Sequence, residues 1–213
     1  MNAIHKLNLR TLTALIVMLA IAPLTALAAG DGSDILSACA SRIRSAKGIS
    51  AEFTMKQSNG GSTAGDLTMS GKKFRLITPQ MSVWYNGKDQ WSYLSAAGEV
   101  NITEPTPEEL LETNPFEVIV SYDKRYKCRL LKAEAGYDRV ELTPAGKDNA
   151  IKSAKIAISR KTGWPVEIKV LFDNGQAADI RIGSVKTHTE AIPASVFTFN
   201  AKAYPGIDVV DLR

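Results

Sequence analysis

The sequence holds few residues able to do chemistry. Its two histidines are His5 and His188, and its two cysteines are Cys39 and Cys128. His5 falls in a leader-like stretch, so a serine or cysteine nucleophile would have only His188 as its base. That residue lies in Val185-Lys186-Thr187-His188-Thr189, a polar strand end where a solvent-facing imidazole is the plainer reading. Gly71-Lys72-Lys73 lacks the upstream glycine of a phosphate loop and reads as a turn. Glu104, Glu108, Glu109 and Glu112 cluster where acids offset a helix dipole without any substrate. Two cysteines and two histidines exclude a zinc ribbon and most multi-histidine centres. The residues point to no catalytic group, no metal and no cofactor.

The cysteines have two non-catalytic uses to weigh. Leu36-Ser37-Ala38 before Cys39 has the composition of a lipoprotein cleavage box, but Gly30-Asp31-Gly32-Ser33-Asp34 separates it from the apolar run. A Cys39–Cys128 disulfide is the expected use in an oxidising compartment. It would close a loop of roughly 90 residues, worth on the order of 4 kcal/mol. Two buried free thiols are the alternative. The aromatic residues Trp84, Tyr85, Trp91 and Tyr93 flank one turn, and Trp91 and Tyr93 share a strand face. They either stack in a core or line a ligand groove. No basic residues interleave with them as a single-strand nucleic-acid platform requires.

The elements that must position these residues begin after a leader. Lys6 and Arg10 precede an apolar run from Leu12 to Leu27, and Ala26-Leu27-Ala28 supplies a small-x-small cleavage site. Residues 1–28 are therefore expected to be a signal peptide, cleaved near Ala28, with a single domain over 29–213 and export across an inner membrane. The whole chain of 213 residues carries 26 Lys and Arg against 22 Asp and Glu. Losing Lys6 and Arg10 lowers that small surplus further, which leaves no nucleic-acid footprint.

Asp34 to Ala46 reads as a helix, with Ile35, Leu36, Cys39, Ile43 and Ala46 near one stripe. From Ile49 the period changes from 3.6 to 2, and Ala51, Phe53 and Met55 alternate with Glu52, Thr54 and Lys56. Turn signals then recur between strand-like runs, Asn86-Gly87 and Asn174-Gly175 being the strongest. A second helical segment runs from Pro107 to Tyr122, with Thr106 as its cap and Pro115 breaking it after Asn114. The expected fold is α+β, an incomplete antiparallel β-barrel of about 10–11 strands with short helices covering its concave apolar face. Pattern alone leaves open a half-open shell with a helical lid and a fully packed core without a cavity.

In order along the chain stand Ile49-Ser50-Ala51-Glu52-Phe53-Thr54, Gly65-Asp66-Leu67, Asn86-Gly87-Lys88-Asp89-Gln90-Trp91-Ser92-Tyr93, Asn114-Pro115-Phe116, Val140-Glu141-Leu142-Thr143-Pro144 and the tail from Phe197 to Asp211. This order of motifs resembles the LolA-type periplasmic carriers of outer-membrane lipoproteins. The resemblance implies a carrier, not an enzyme, that takes acylated lipoproteins from an inner-membrane transporter and hands them to an outer-membrane receptor. A monomer is expected. Each acyl CH₂ kept from water is worth about 0.8 kcal/mol, so such cargo needs a carrier to cross an aqueous space. The expected acyl cavity is lined by Phe53, Met55, Leu67, Met69, Phe74, Leu76, Trp91 and Tyr93, with Leu110, Leu111, Phe116 and Ile119 from the lid. Met55, Met69 and Met81 are adaptable wall side chains, with core filling an equal alternative for each. Members of the family carry an Arg-Pro pair after the Gly-Asp-Leu strand, and that arginine is linked to lid closure. Here the segment reads Met69-Ser70-Gly71-Lys72-Lys73-Phe74-Arg75, so Lys72 or Lys73 must supply any cation there. A LolA-like sensor or lipid-binding interaction module of the envelope, without a transport role, is the alternative function. An enzyme using the cavity for a small apolar substrate is a third reading, without catalytic residues to support it.

Overall fold

The computed structural model describes residues 31–114, 116–146 and 149–213. The expected signal peptide over 1–28 lies outside them. Helix α1 (Ser33–Ser45) is followed by six strands in sequence: β1 (Ile49–Gln57), β2 (Ser62–Ser70), β3 (Lys73–Ile77), β4 (Met81–Tyr85), β5 (Gln90–Leu94) and β6 (Glu99–Thr103). Three short helices come next, α2 (Pro107–Thr113), α3 (Glu117–Val120) and α4 (Tyr122–Arg125). Strands β7 (Tyr126–Leu130), β8 (Tyr137–Pro144), β9 (Ile151–Ser159), β10 (Pro165–Phe172) and β11 (Ala177–Thr187) follow, and β12 (Asp208–Asp211) ends the chain after two 3₁₀ turns.

All of these strands form one sheet, ordered β12-β6-β5-β4-β3-β2-β1-β11-β10-β9-β8-β7. The order is that of two meanders joined by the β1–β11 pairing, and β7 and β12 remain as separate edges, so the sheet curves without closing. Every pairing is antiparallel except β12 with β6. The sheet has one strand more than the sequence pattern suggests, because the short Asp208–Asp211 segment adds itself in parallel to an edge. Among the described residues no helix is long and apolar enough to cross a membrane.

Alternation decides which face is buried. Ile49, Ala51 and Phe53 of β1, Leu67 and Met69 of β2, Phe74 and Leu76 of β3, and Ile168, Val170, Ile180 and Ile182 of β10 and β11 form one continuous concave core. The β1–β11 register slips between Ala51 and Phe53, whose partners are Val185 and Ile182. This bulge inserts one extra residue in β11, so that Ile182 and Val185 both turn inward although their numbers differ in parity. Gly65 is required by close approach: a Cβ there would sit 2.4 Å from the Ile77 carbonyl oxygen and 2.8 Å from the Phe53 ring.

The expected helix from Pro107 to Tyr122 is three pieces. Thr106 and Glu109 form a capping box, Glu109 N donating to Thr106 Oγ1 at 3.3 Å and Thr106 N to Glu109 Oε2 at 2.7 Å. The first piece stops because Asn114, preceding Pro115 in the sequence, takes an extended conformation at φ −113°, ψ 105°. The second disagreement concerns the cysteines, which are free thiols and not a disulfide. The Cys128 sulfur lies against the start of α1, where a Cβ on Gly32 would be 3.3 Å from it. Cys39 is seven residues further on, about 10 Å along the helix. Burial pushes the Cys39 thiol up to about 12 and Cys128 to about 11, so both stay protonated and unreactive.

Candidate functional site

The concave face is packed at one end and hollow at the other. At the packed end, where β1 begins and β2 finishes, α1 inserts Leu36, Cys39, Ala40 and Ile43 into the core. At the opposite end lies a cavity of about 850 Å³, formed where β1 and β3 finish, β2 and β4 start, and the β10–β11 hairpin turns. Its apolar wall includes Phe53, Met55, Leu76, Met81, Val170 and Ile180 from the sheet. Leu111 of α2 and Val118 of α3 cover it from above. Of the two alternatives left open by the sequence, the hollow favours the half-open shell over a fully packed core without a cavity.

The residues expected to line an acyl cavity divide three ways. Phe53, Met55, Leu76 and Leu111 do line this one. Leu67, Met69, Phe74, Phe116 and Ile119 share the concave face but are buried in the packed end, and Leu110 lies partly buried against them. Trp91 and Tyr93 are on the other side of the sheet. The register places Trp84 opposite Trp91 and Ser82 opposite Tyr93, while Tyr85 and Val83, one residue out of phase, join the core. The outward aromatics are covered by the C-terminal segment: Tyr204 packs against Trp84, Tyr93 and Phe199 at ring separations of 5.8, 5.2 and 5.2 Å. Val170, Phe172, Ala178 and Ile180 also line it, though none was among the residues expected to do so. Their membership in the cavity depends on β11 returning beside β1, which no local pattern shows.

The helical cover is tied at several points. Arg44 of α1 donates to the Val120 carbonyl of α3 at 2.8 Å. Tyr122 of α4 donates its hydroxyl to the Ser33 carbonyl at 3.1 Å, and Arg125 pairs with Glu108 of α2. Asn114 is 1 % exposed and stands where the cover bends; its Oδ1 accepts from Phe116 N at 3.1 Å and its Nδ2 lies 4.0 Å from the Met69 sulfur. Glu117 is half-buried in α3. Loss of water raises its pKa, while Arg125 and Lys72 oppose that rise. Lys72, in the turn that lacks Arg-Pro, thus acts electrostatically on the cover.

Elsewhere the chemistry is sparse. Ser50 Oγ and His188 Nε2 lie 2.9 Å apart at the surface, away from the cavity lining, and no described acid bonds the other ring nitrogen. No group of three or more metal-ligating side chains occurs among the described residues. A second, shallower hollow of about 690 Å³ lies around Gly65 and Gly183, lined by Glu52, Asp66 and Arg181 among others.

A half-barrel whose apolar concavity is roofed by short helices defines a class of hollow, covered-sheet proteins. The chain belongs to the family described as outer membrane lipoprotein carrier protein LolA, whose model matches residues 24–176. No curated protein sequence gives a significant match. Among solved structures, an uncharacterized conserved protein from Thermus thermophilus is similar at TM-score 0.56 and 13% identity, over 85% of this chain and 99% of that one. A LolA superfamily protein, NE2245 of Nitrosomonas europaea, is similar at TM-score 0.45 and 10% identity, over 80% and 99%. A chain of the Pseudomonas aeruginosa MucA/MucB complex gives TM-score 0.42 and 17% identity, over 81% and 62%. Identities this low speak to the fold alone.

Proposed function

We propose that this protein is a periplasmic carrier that holds the acyl chains of lipoproteins in the cavity between β1–β4, β10–β11 and the α2–α3 cover. It would receive them from an inner-membrane transporter and release them to an outer-membrane receptor. The observation that carries the reading is the hollow itself: about 850 Å³ of largely apolar wall, left open in a sheet whose other end is fully packed. Its size is that of pockets for small organic ligands. Membership of the carrier family supports the same reading. The cover is assembled from short helical pieces rather than one continuous helix, which suits a carrier that must let cargo in and out.

The test is retrieval of the exported protein with its cargo. Carrier function predicts co-purification with acylated proteins, and accumulation of those proteins at the inner membrane when this protein is depleted. Co-purification with unchanged sorting would indicate instead a lipid-binding module of the envelope without a transport role.

A further inference from the structure

The cavity floor is apolar, but its mouth is not, and the polar groups there are of one kind. Gln57, Asn59, Gln80, Asn174 and Gln176 bring five carboxamides to the rim. Among the described lining residues the only charged side chain is Glu112, an exposed residue of α2. Asn59 and Asn174 spend their side-chain oxygens on their own turns, accepting from Gly61 N and Gln176 N at 2.9 Å each. Gln80 Oε1 accepts from Thr63 Oγ1 at 3.0 Å. All three keep their amide nitrogens as donors, with no acceptor among the described residues.

We infer that the mouth selects an acyl ligand whose head is uncharged and rich in ester, amide or hydroxyl oxygens, and disfavours an anionic head. This rests on the acyl-binding reading of the cavity. A neutral acylglycerol ester or amide seated in the hollow meets donors suited to its carbonyl oxygens. A phosphate or carboxylate head in the same place loses water, finds no described cation in the lining and faces Glu112.

The experiment is displacement of a fluorescent apolar probe from the purified protein by three soluble amphiphiles of equal chain length: a monoacylglycerol, a fatty acid and an alkyl phosphate. The monoacylglycerol is expected to displace at about a tenth or less of the concentration the two anions need. Glu112→Lys is expected to narrow that ratio by about fivefold, the size of one charge reversal near a surface. Equal or better displacement by the anions in the unaltered protein overturns the head selectivity and leaves acyl binding standing. Displacement by none of the three overturns both.

Discussion

The guanidinium of Arg44 in α1 donates to the carbonyl oxygen of Val120, the last residue of α3, at 2.8 Å. This joins the helix that plugs the packed end of the half-barrel to the helix that roofs its hollow end. The bonded arginine comes from α1 and not from the turn after Gly65-Asp66-Leu67, where Lys72 stands and bears on Glu117 through its charge alone. The cover is therefore approached by cations from two sides, one directional and one diffuse, which fits the different donor geometries of arginine and lysine.

Arg44→Ala should loosen the roof without unfolding the sheet. The lost bond is surface-exposed and worth about 0.5–1.5 kcal/mol. Amide exchange across 117–121 should quicken by about two- to tenfold, with the exchange of β1 and β10 unchanged. Unchanged exchange in α3 would show that the bond does not hold the cover.

Asn114→Ala should act on global stability instead. Phe116 is buried, and its amide loses the side-chain oxygen it donates to, leaving an unsatisfied donor at a cost of about 1–3 kcal/mol. Thr113→Ala next to it removes only an exposed hydroxyl bond to the Glu109 carbonyl and should stay within about 0.5 kcal/mol. Urea unfolding of the two variants measures the difference, and equal midpoints would refute the role given to Asn114.

Glu117 gives the fold a pH dependence whose sign is fixed by its surroundings. Its folded pKa is raised, chiefly by burial, so the folded state holds the proton more tightly than the unfolded chain. Below the unfolded value the carboxyl is neutral in both states and costs nothing. Stability falls as pH rises from the unfolded value through the raised one, and above that the cost is complete. Glu117→Gln should thus stabilise the protein at neutral pH and change little in acid. Lys72→Ala should raise the Glu117 pKa further, read by carboxyl carbon NMR titration; an unchanged pKa would place Lys72 away from this helix.

The sequence made the inward face of β1 legible, because period-2 alternation reports burial directly and Ala51 and Phe53 are buried as the pattern requires. The capping box at Thr106 and the break after Asn114 were equally local and equally visible. What eluded it depended on register and on returns of the chain. Trp91 was assigned to the concave side because aromatic character says nothing about which face a strand presents. Only its pairing with Trp84 settles that. Cys39 and Cys128 were matched by compartment and number, whereas the distance between them along α1 was set by where β7 docks.

The two faces of the sheet can be separated by a pair of substitutions. Met81 lines the hollow near its mouth and is only partly buried, so Met81→Trp should fill space with little loss of stability and weaken binding of an apolar probe severalfold. Trp91 lies across the sheet among outward aromatics and is half-exposed. Trp91→Ala should cost about 2 kcal/mol, less than the roughly 3–5 of a fully buried aromatic, and leave probe binding unchanged. Thermal unfolding and probe titration on both variants distinguish the outcomes. Loss of binding in Trp91→Ala at unchanged stability would move the ligand to the convex side and overturn the cavity assignment, because Trp91 is not among the residues that line the hollow.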